Sequence, residues 1–337
     1  MSFDFKSYCK GCYDDGKTTR KQIKIKDQYP AGIERSLNKV LREEMLKITE
    51  QIRDLVQSEL NRMPRTDSLD RTDGYIDQLN NFFDSLANSV KVPKGYKSWY
   101  KQFAEDIEKW NTKKFTEGVN KELGVDFYLP QTEFSKELVS GWVTSNDKVL
   151  DRYLVDTVEK LREQITRDYM SGLRATEIES KLLDPIAGGN TINLTNEQVV
   201  KKAKLWARNE VGNLNTNLTK TRQNDLGIDK SMWSTSGDER VRCQHRAYDG
   251  KMYPTKTGIT REWLQENNIA VTCSGQVNVK QKNGTFETKN VTGDRGKEID
   301  YYGGAIWAGT PINCRCTAIS VIDLDDIEDY QAIAKTE

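Results

Sequence analysis

From Ile33 onward, apolar residues return every three or four positions: Ile33, Leu37, Val40, Leu41, Ile48, Ile52, Leu55, Val56 and Leu60. That period is one face of a helix, and about thirty residues at 1.5 Å rise make a rod of roughly 45 Å. Met63-Pro64 stops it. Tyr75, Leu79, Phe82, Phe83 and Leu86 predict a second helix over Asp73–Val90, and Val92-Pro-Lys-Gly95 breaks the chain again. A third runs from Tyr96 to Leu123, with Trp99, Phe103, Ile107, Trp110 and Phe115 along it. Aromatic residues that follow one helical face read as core. The same period continues over Trp142–Met170 through Val149, Tyr153, Leu154, Val158, Leu161 and Ile165. Gly172 ends it, since glycine supplies the left-handed cap. A short helix starts at Arg174, Gly188-Gly189-Asn190 forms a loop, and a last long helix runs from Asn196 to Asn224.

After Gly227 the pattern changes to short, turn-rich segments. Gly275 to Val291 alternates around Asn283-Gly284, which predicts a β-hairpin with a tight turn. The fold class that follows is α+β, a long, mainly α-helical N-terminal part and then a small β-rich module. The expected divisions are an arm over 1–28, a helical domain over 29–226, the module over 227–322 and an acidic tail over 323–337. No repeat of 20–50 residues is visible.

A chain of 337 residues is long enough for two hydrophobic cores. No window approaches the eighteen apolar residues a membrane span needs. The N-terminus lacks an apolar signal core, so a cytoplasmic place of assembly is expected. The 51 basic and 51 acidic residues cancel, which argues against a dedicated duplex-DNA binder. Lys17–Lys26 is a local basic run, either a solvated arm or a contact for phosphate or an acidic partner. Six cysteines in such a chain suggest thiols or metal ligands rather than a disulfide framework.

The chemistry concentrates at two places. Cys243-Gln244-His245 carries the only histidine, and Cys314-Arg315-Cys316 offers two more thiols. In extended chain, residues i and i+2 face the same way roughly 6.5–7 Å apart, so the pairs could converge tetrahedrally around zinc. Equally, Cys314 and Cys316 could be small packing residues with His245 hydrogen-bonded to nearby backbone. Cys273 is a substitute ligand. A third reading makes His245 a general base oriented by Asp238 or Asp249, though no nucleophile or phosphate-loop motif accompanies it. Cys9-Lys-Gly-Cys12 reads as exposed thiols on the arm. Arg208 is a candidate partner for Asp238 or Glu239.

Ala207-Arg-Asn-Glu210, Gly227-Ile228, Trp233-Ser-Thr, Gly237-Asp-Glu-Arg-Val-Arg242, His245, Asp249-Gly250 and the closing Asn313-Cys-Arg-Cys-Thr317 occur in one order. This order resembles the phage Mu F-like head morphogenesis family, the minor head proteins of tailed phages, from about residue 95 to 320. The resemblance implies a non-enzymatic, structural role in the virion, in the head interior or at the portal vertex, after assembly in the host cytoplasm. It implies the portal protein and major capsid protein as partners, along with packaged DNA, and no membrane; Lys17–Lys26, outside the resemblance, is the candidate DNA contact. It also implies a structural zinc site, for which Cys243, His245, Cys314 and Cys316 are the candidate ligands. His245 takes the place of a family cysteine, and Cys243 lies one position off the other. The segment from about 255 to 307, with its hairpin, is long for the family and could be an extra contact surface. The alternatives are an enzyme module, a nucleotide-dependent transferase or hydrolase using His245, and a DNA-contacting ejection factor.

Overall fold

The computed structural model describes residues 22–63, 73–93, 95–123, 129, 132–183, 194–237, 241–270, 272–280 and 286–323. Cys9, Cys12, Lys17–Lys21, Gly188–Asn190, Asp238–Arg240, the Asn283-Gly284 turn and the acidic tail beyond Asp323 lie outside them. The fold is α+β: helices dominate the N-terminal part, and a small antiparallel sheet forms near the C-terminus. Two compact units interleave along the chain, one made of Gly32–Phe103 and Gly141–Arg208, the other of Met1–Ala31, Ala104–Ser140 and Asn209–Glu337.

The first unit is helical. It contains α1 (Ala31–Leu60), α2 (Asp73–Ser89), α5 (Val149–Met170), α6 (Ala175–Leu183) and parts of α3 (Tyr96–Leu123), α4 (Glu133–Asn146) and α7 (Asn196–Asp225). The periodic residues are its core. Leu37, Leu41, Met45, Ile48, Ile52 and Val56 are buried along α1, and Tyr153, Leu154, Val158, Leu161 and Ile165 along α5. Inside this core the Thr49 and Tyr153 hydroxyls meet at 2.6 Å, so a buried hydroxyl pair is satisfied rather than stranded.

The helix expected over Trp142–Met170 is in fact two. Ser145 Oγ donates to the Gly141 carbonyl and Asn146 Nδ2 to the Trp142 carbonyl, at 2.9 and 3.0 Å. Short polar side chains that bond back to their own backbone compete with the helical ladder. Lys148, at φ −114° and ψ 17°, leaves helical geometry. α4 begins earlier than the apolar pattern suggested, at Glu133, where Thr132 Oγ1 accepts the Ser135 N–H. α5 ends as expected, with Gly172 at φ +92° and the Leu173 N–H returning to the Asp168 carbonyl.

The second unit holds a four-stranded antiparallel sheet in the order β1-β6-β2-β3, from β1 (Gln22–Lys26), β2 (Lys230–Ser234), β3 (Met252–Pro254) and β6 (Thr317–Asp323). The expected arm over 1–28 therefore ends in a strand. Ile23 pairs with Ile322, and Ile23 and Ile25 bury against Phe115, Val119, Leu226 and Ile228. At the other end of β6, Ala318 pairs with Trp233 of β2 and joins a second core with Tyr248, Tyr253, Trp263, Ile299, Cys314 and Cys316. The two-stranded sheet of β4 (Thr272–Lys280) and β5 (Phe286–Asp294) is the expected hairpin. Among the described residues, the unit also holds parts of α3, α4 and α7 and three short helices, α8 (Cys243–Tyr248), α9 (Arg261–Glu266) and α10 (Arg295–Tyr301).

Candidate metal centre

Three segments of the second unit converge on one buried point. β2 brings Trp233, fully buried, whose ring lies 5.2 Å from that of His245. α8 brings His245, only 3% exposed. The chain entering β6 brings Cys314 and Cys316, both buried free thiols. A tight turn aims the cysteines: Gly309 adopts φ +98°, Asn313 φ +58°, and the Cys314 N–H closes on the Pro311 carbonyl at 2.9 Å. Glycine takes such positive φ without cost, and asparagine tolerates it better than most residues. The Cys316 N–H then donates to Cys314 Sγ at 3.3 Å.

His245 Nδ1 stands 3.6 Å from Cys314 Sγ and 3.5 Å from Cys316 Sγ. One candidate donor atom from each of the three residues lies within 4.8 Å of the other two. The other ring nitrogen, Nε2, faces the Glu298 carboxylate at 3.2 and 3.3 Å. Glu298 comes from α10, whose first turn is capped by Asp294 accepting the Gly296 and Lys297 N–H groups. Arg242, just before α8, donates through Nη1 to Glu298 Oε1 at 2.7 Å and through Nη2 to the Ile312 carbonyl.

The electrostatics are those of a charge-separated cluster. Burial opposes a charge on His245, but contacts with Cys314 and Glu298 outweigh it and raise the imidazole to about 9. Hydrogen bonding from Cys316, and then the imidazole, hold Cys314 well below the usual thiol range against burial. Cys314 and burial push the Cys316 thiol up, and the Trp233 indole counters them. That indole N–H is buried and makes no hydrogen bond. Chemically, two sulfurs and one imidazole nitrogen share a dry space, a donor set that suits a soft or borderline cation.

Cys243 is not part of this cluster. It is disulfide-bonded, and its Sγ lies 3.2 Å from where a Cβ on Gly293 would sit, so it faces β5. The thiols-or-ligands expectation fails there, because the hairpin strands pack on α8 and Cys243 faces β5 rather than the cluster. The side chain of Cys273 is outside the described set. Asp249 does not orient His245. Its Oδ1 accepts the Thr235 N–H at 2.8 Å and braces a turn. Arg208 pairs with Glu34 at 3.4 Å. Sequence reasoning missed Glu298, which has no motif of its own; the only local signal is the capping Asp294 four residues before it.

A small sheet joined to long helices, with His, Cys and Cys gathered where β2, α8 and β6 meet, defines a helical protein carrying a compact cysteine-histidine module. Residues 159–319 match the family described as Phage Mu protein F like protein, and this match supports a phage Mu F-like head morphogenesis family for that segment. The match contains His245, Glu298, Cys314 and Cys316. It leaves out β1 and the part of α3 from Ala104 onward, which belong to the same compact unit as these four residues. A protein of Haemophilus influenzae (strain ATCC 51907 / DSM 11121 / KW20 / Rd), described as an uncharacterized protein, is 27% identical over 132 residues, 39% of this chain. The aligned part is 27% of that relative, so the chain spans about a quarter of its length. No solved structure matches the chain.

Proposed function

We propose that the chain is a minor head protein of a tailed phage, acting by binding at the portal vertex, with its C-terminal module held together by one structural zinc. The observation that carries the assembly reading is the family match over 159–319. The nature of the site supports a scaffold. An acid–base residue must reach its substrate, whereas His245 is 3% exposed and enclosed by Trp233, Tyr248 and the two thiols. No described helix is long and apolar enough to cross a membrane. Portal and capsid proteins are the proposed partners. Of the basic run proposed to reach DNA, Lys24 and Lys26 lie on β1 and are exposed.

The donor set fits zinc on two counts. Zinc bonds of about 2.3 Å to sulfur and 2.0–2.1 Å to nitrogen, at the tetrahedral angle, place the two donors about 3.6 Å apart, and the separations here are 3.6 and 3.5 Å. The buried Trp233 N–H has no hydrogen-bond partner and would find one in the Cys316 sulfur once a bound zinc made that sulfur a thiolate. Zinc bound here would supply bonds between the α8 segment and the start of β6. His245 and Cys314 and Cys316 would hold it, while Trp233 and Tyr248 exclude water.

Heads purified from infected cells test the assembly reading: the chain is expected in the particles and cross-linked to the portal protein. A chain absent from heads refutes it. Elemental mass spectrometry tests the metal. About one zinc per chain is expected, lost in His245→Ala; a stably folded, metal-free wild type would leave an imidazolium–thiolate pair instead.

A further inference from the structure

We propose that Glu298 is the positioning residue of the His245–Cys314–Cys316 site, selecting Nδ1 of His245 as the metal-binding nitrogen by accepting a hydrogen bond from Nε2–H. The inference rests on the metal reading above. The geometry assigns the two ring nitrogens different jobs. Nδ1 lies 3.6 and 3.5 Å from the two sulfurs, and Nε2 lies 3.2 and 3.3 Å from the two carboxylate oxygens. Glu298 is outside the group whose donor atoms share one 4.8 Å space, so it is not itself a ligand. A carboxylate that accepts the remote N–H of a metal-bound histidine fixes the tautomer and the ring orientation.

The carboxylate is itself held. Arg242 binds its Oε1 at 2.7 Å and, with its other terminal nitrogen, the carbonyl of Ile312, two residues before Cys314. Arg242 therefore links α8, α10 and the cysteine turn, each of which brings one part of the site. Glu298 is largely buried, its side chain 11% exposed. Removing the carboxylate while Nε2 keeps its proton strands a buried N–H.

The test uses the full chain with Zn²⁺ and Co²⁺ as probes, in wild type, Glu298→Gln and Glu298→Ala. The expected result is one metal ion per chain in all three, with affinity in chelator competition about 10–100-fold weaker in Glu298→Ala. The glutamine variant, which keeps an acceptor oxygen, falls between. The sulfur-to-cobalt charge-transfer band should persist, since both thiolates stay bound. His245 is the chain's one histidine, so a nitrogen-15 NMR spectrum reads its tautomer without assignment. Zinc on Nδ1 and the proton on Nε2 are expected in wild type. Affinity unchanged in both variants, or zinc on Nε2 in wild type, overturns the positioning role and leaves the site intact. A wild-type chain that takes up neither ion ends the metal reading and this inference together.

Discussion

Asp27, immediately after β1, gives the sharpest test of how the sheet unit is held. Its N–H donates to the Ala318 carbonyl at 3.1 Å, which ties the end of β1 to β6. Burial of its carboxyl raises the pKa from 3.8 to about 7, against the opposing pull of the Thr219 hydroxyl, the Gln28 backbone and the Arg222 charge. Arg222 cannot hold it down, because that guanidinium is already shared with Glu108 at 2.9 Å and with Asn111. A folded-state pKa above the unfolded one means that the native chain binds the extra proton. This group's contribution to stability is then complete below about pH 4 and lost as pH rises through 7. At about 1.4 kcal/mol per pKa unit, roughly 2–3 kcal/mol of that loss falls between pH 5 and pH 8. Asp27→Asn keeps an acceptor oxygen and cannot ionise, so it should escape the loss. Urea unfolding of both proteins at pH 5 and pH 8 measures the difference, with every other titrating group common to the two. The variant should gain roughly 2–3 kcal/mol on wild type across that interval. A gap that stays constant with pH would show that the carboxyl is solvated, and the reasoning would fail.

Gly309→Ala forces an alanine to φ +98°, drives its Cβ into Thr216 Oγ1 and brings it to 3.3 Å from the Cys316 carbonyl oxygen. It should cost about 2–4 kcal/mol, against about 1 kcal/mol for Gly304→Ala, where φ is +99° but nothing lies within 4 Å. Equal losses in thermal or urea melting would refute the close-packing account. Cys243→Ser removes a disulfide that faces the hairpin, so metal content should stay at the wild-type level while the hairpin exchanges its amide hydrogens faster. Loss of metal in that variant would make Cys243 a ligand after all.

The helical faces were legible because burial at a 3.6-residue period needs no knowledge of the partner: Leu37, Leu41, Ile48 and Ile52 are buried wherever the opposing surface comes from. β1 was not. Gln22-Ile-Lys-Ile-Lys26 is too short and too charged to stand out, and its status as a strand depends on β6, at the far end of the chain. The break at Asp147-Lys148 was hidden for a related reason, since local side-chain bonds there override an apolar period that runs on. The sequence pattern alone did establish the α+β class, the hairpin and the likeness of the module to a phage head family. It also singled out His245, Cys314 and Cys316, because scarce side chains at fixed spacing are a local property. Only tertiary structure decided that Cys243 turns away, that residues from β1 and α3 complete the module's unit, and that Glu298 stands behind His245. Those outcomes depend on which distant segments pack together, and contacts between segments far apart in sequence leave no period along the chain to read.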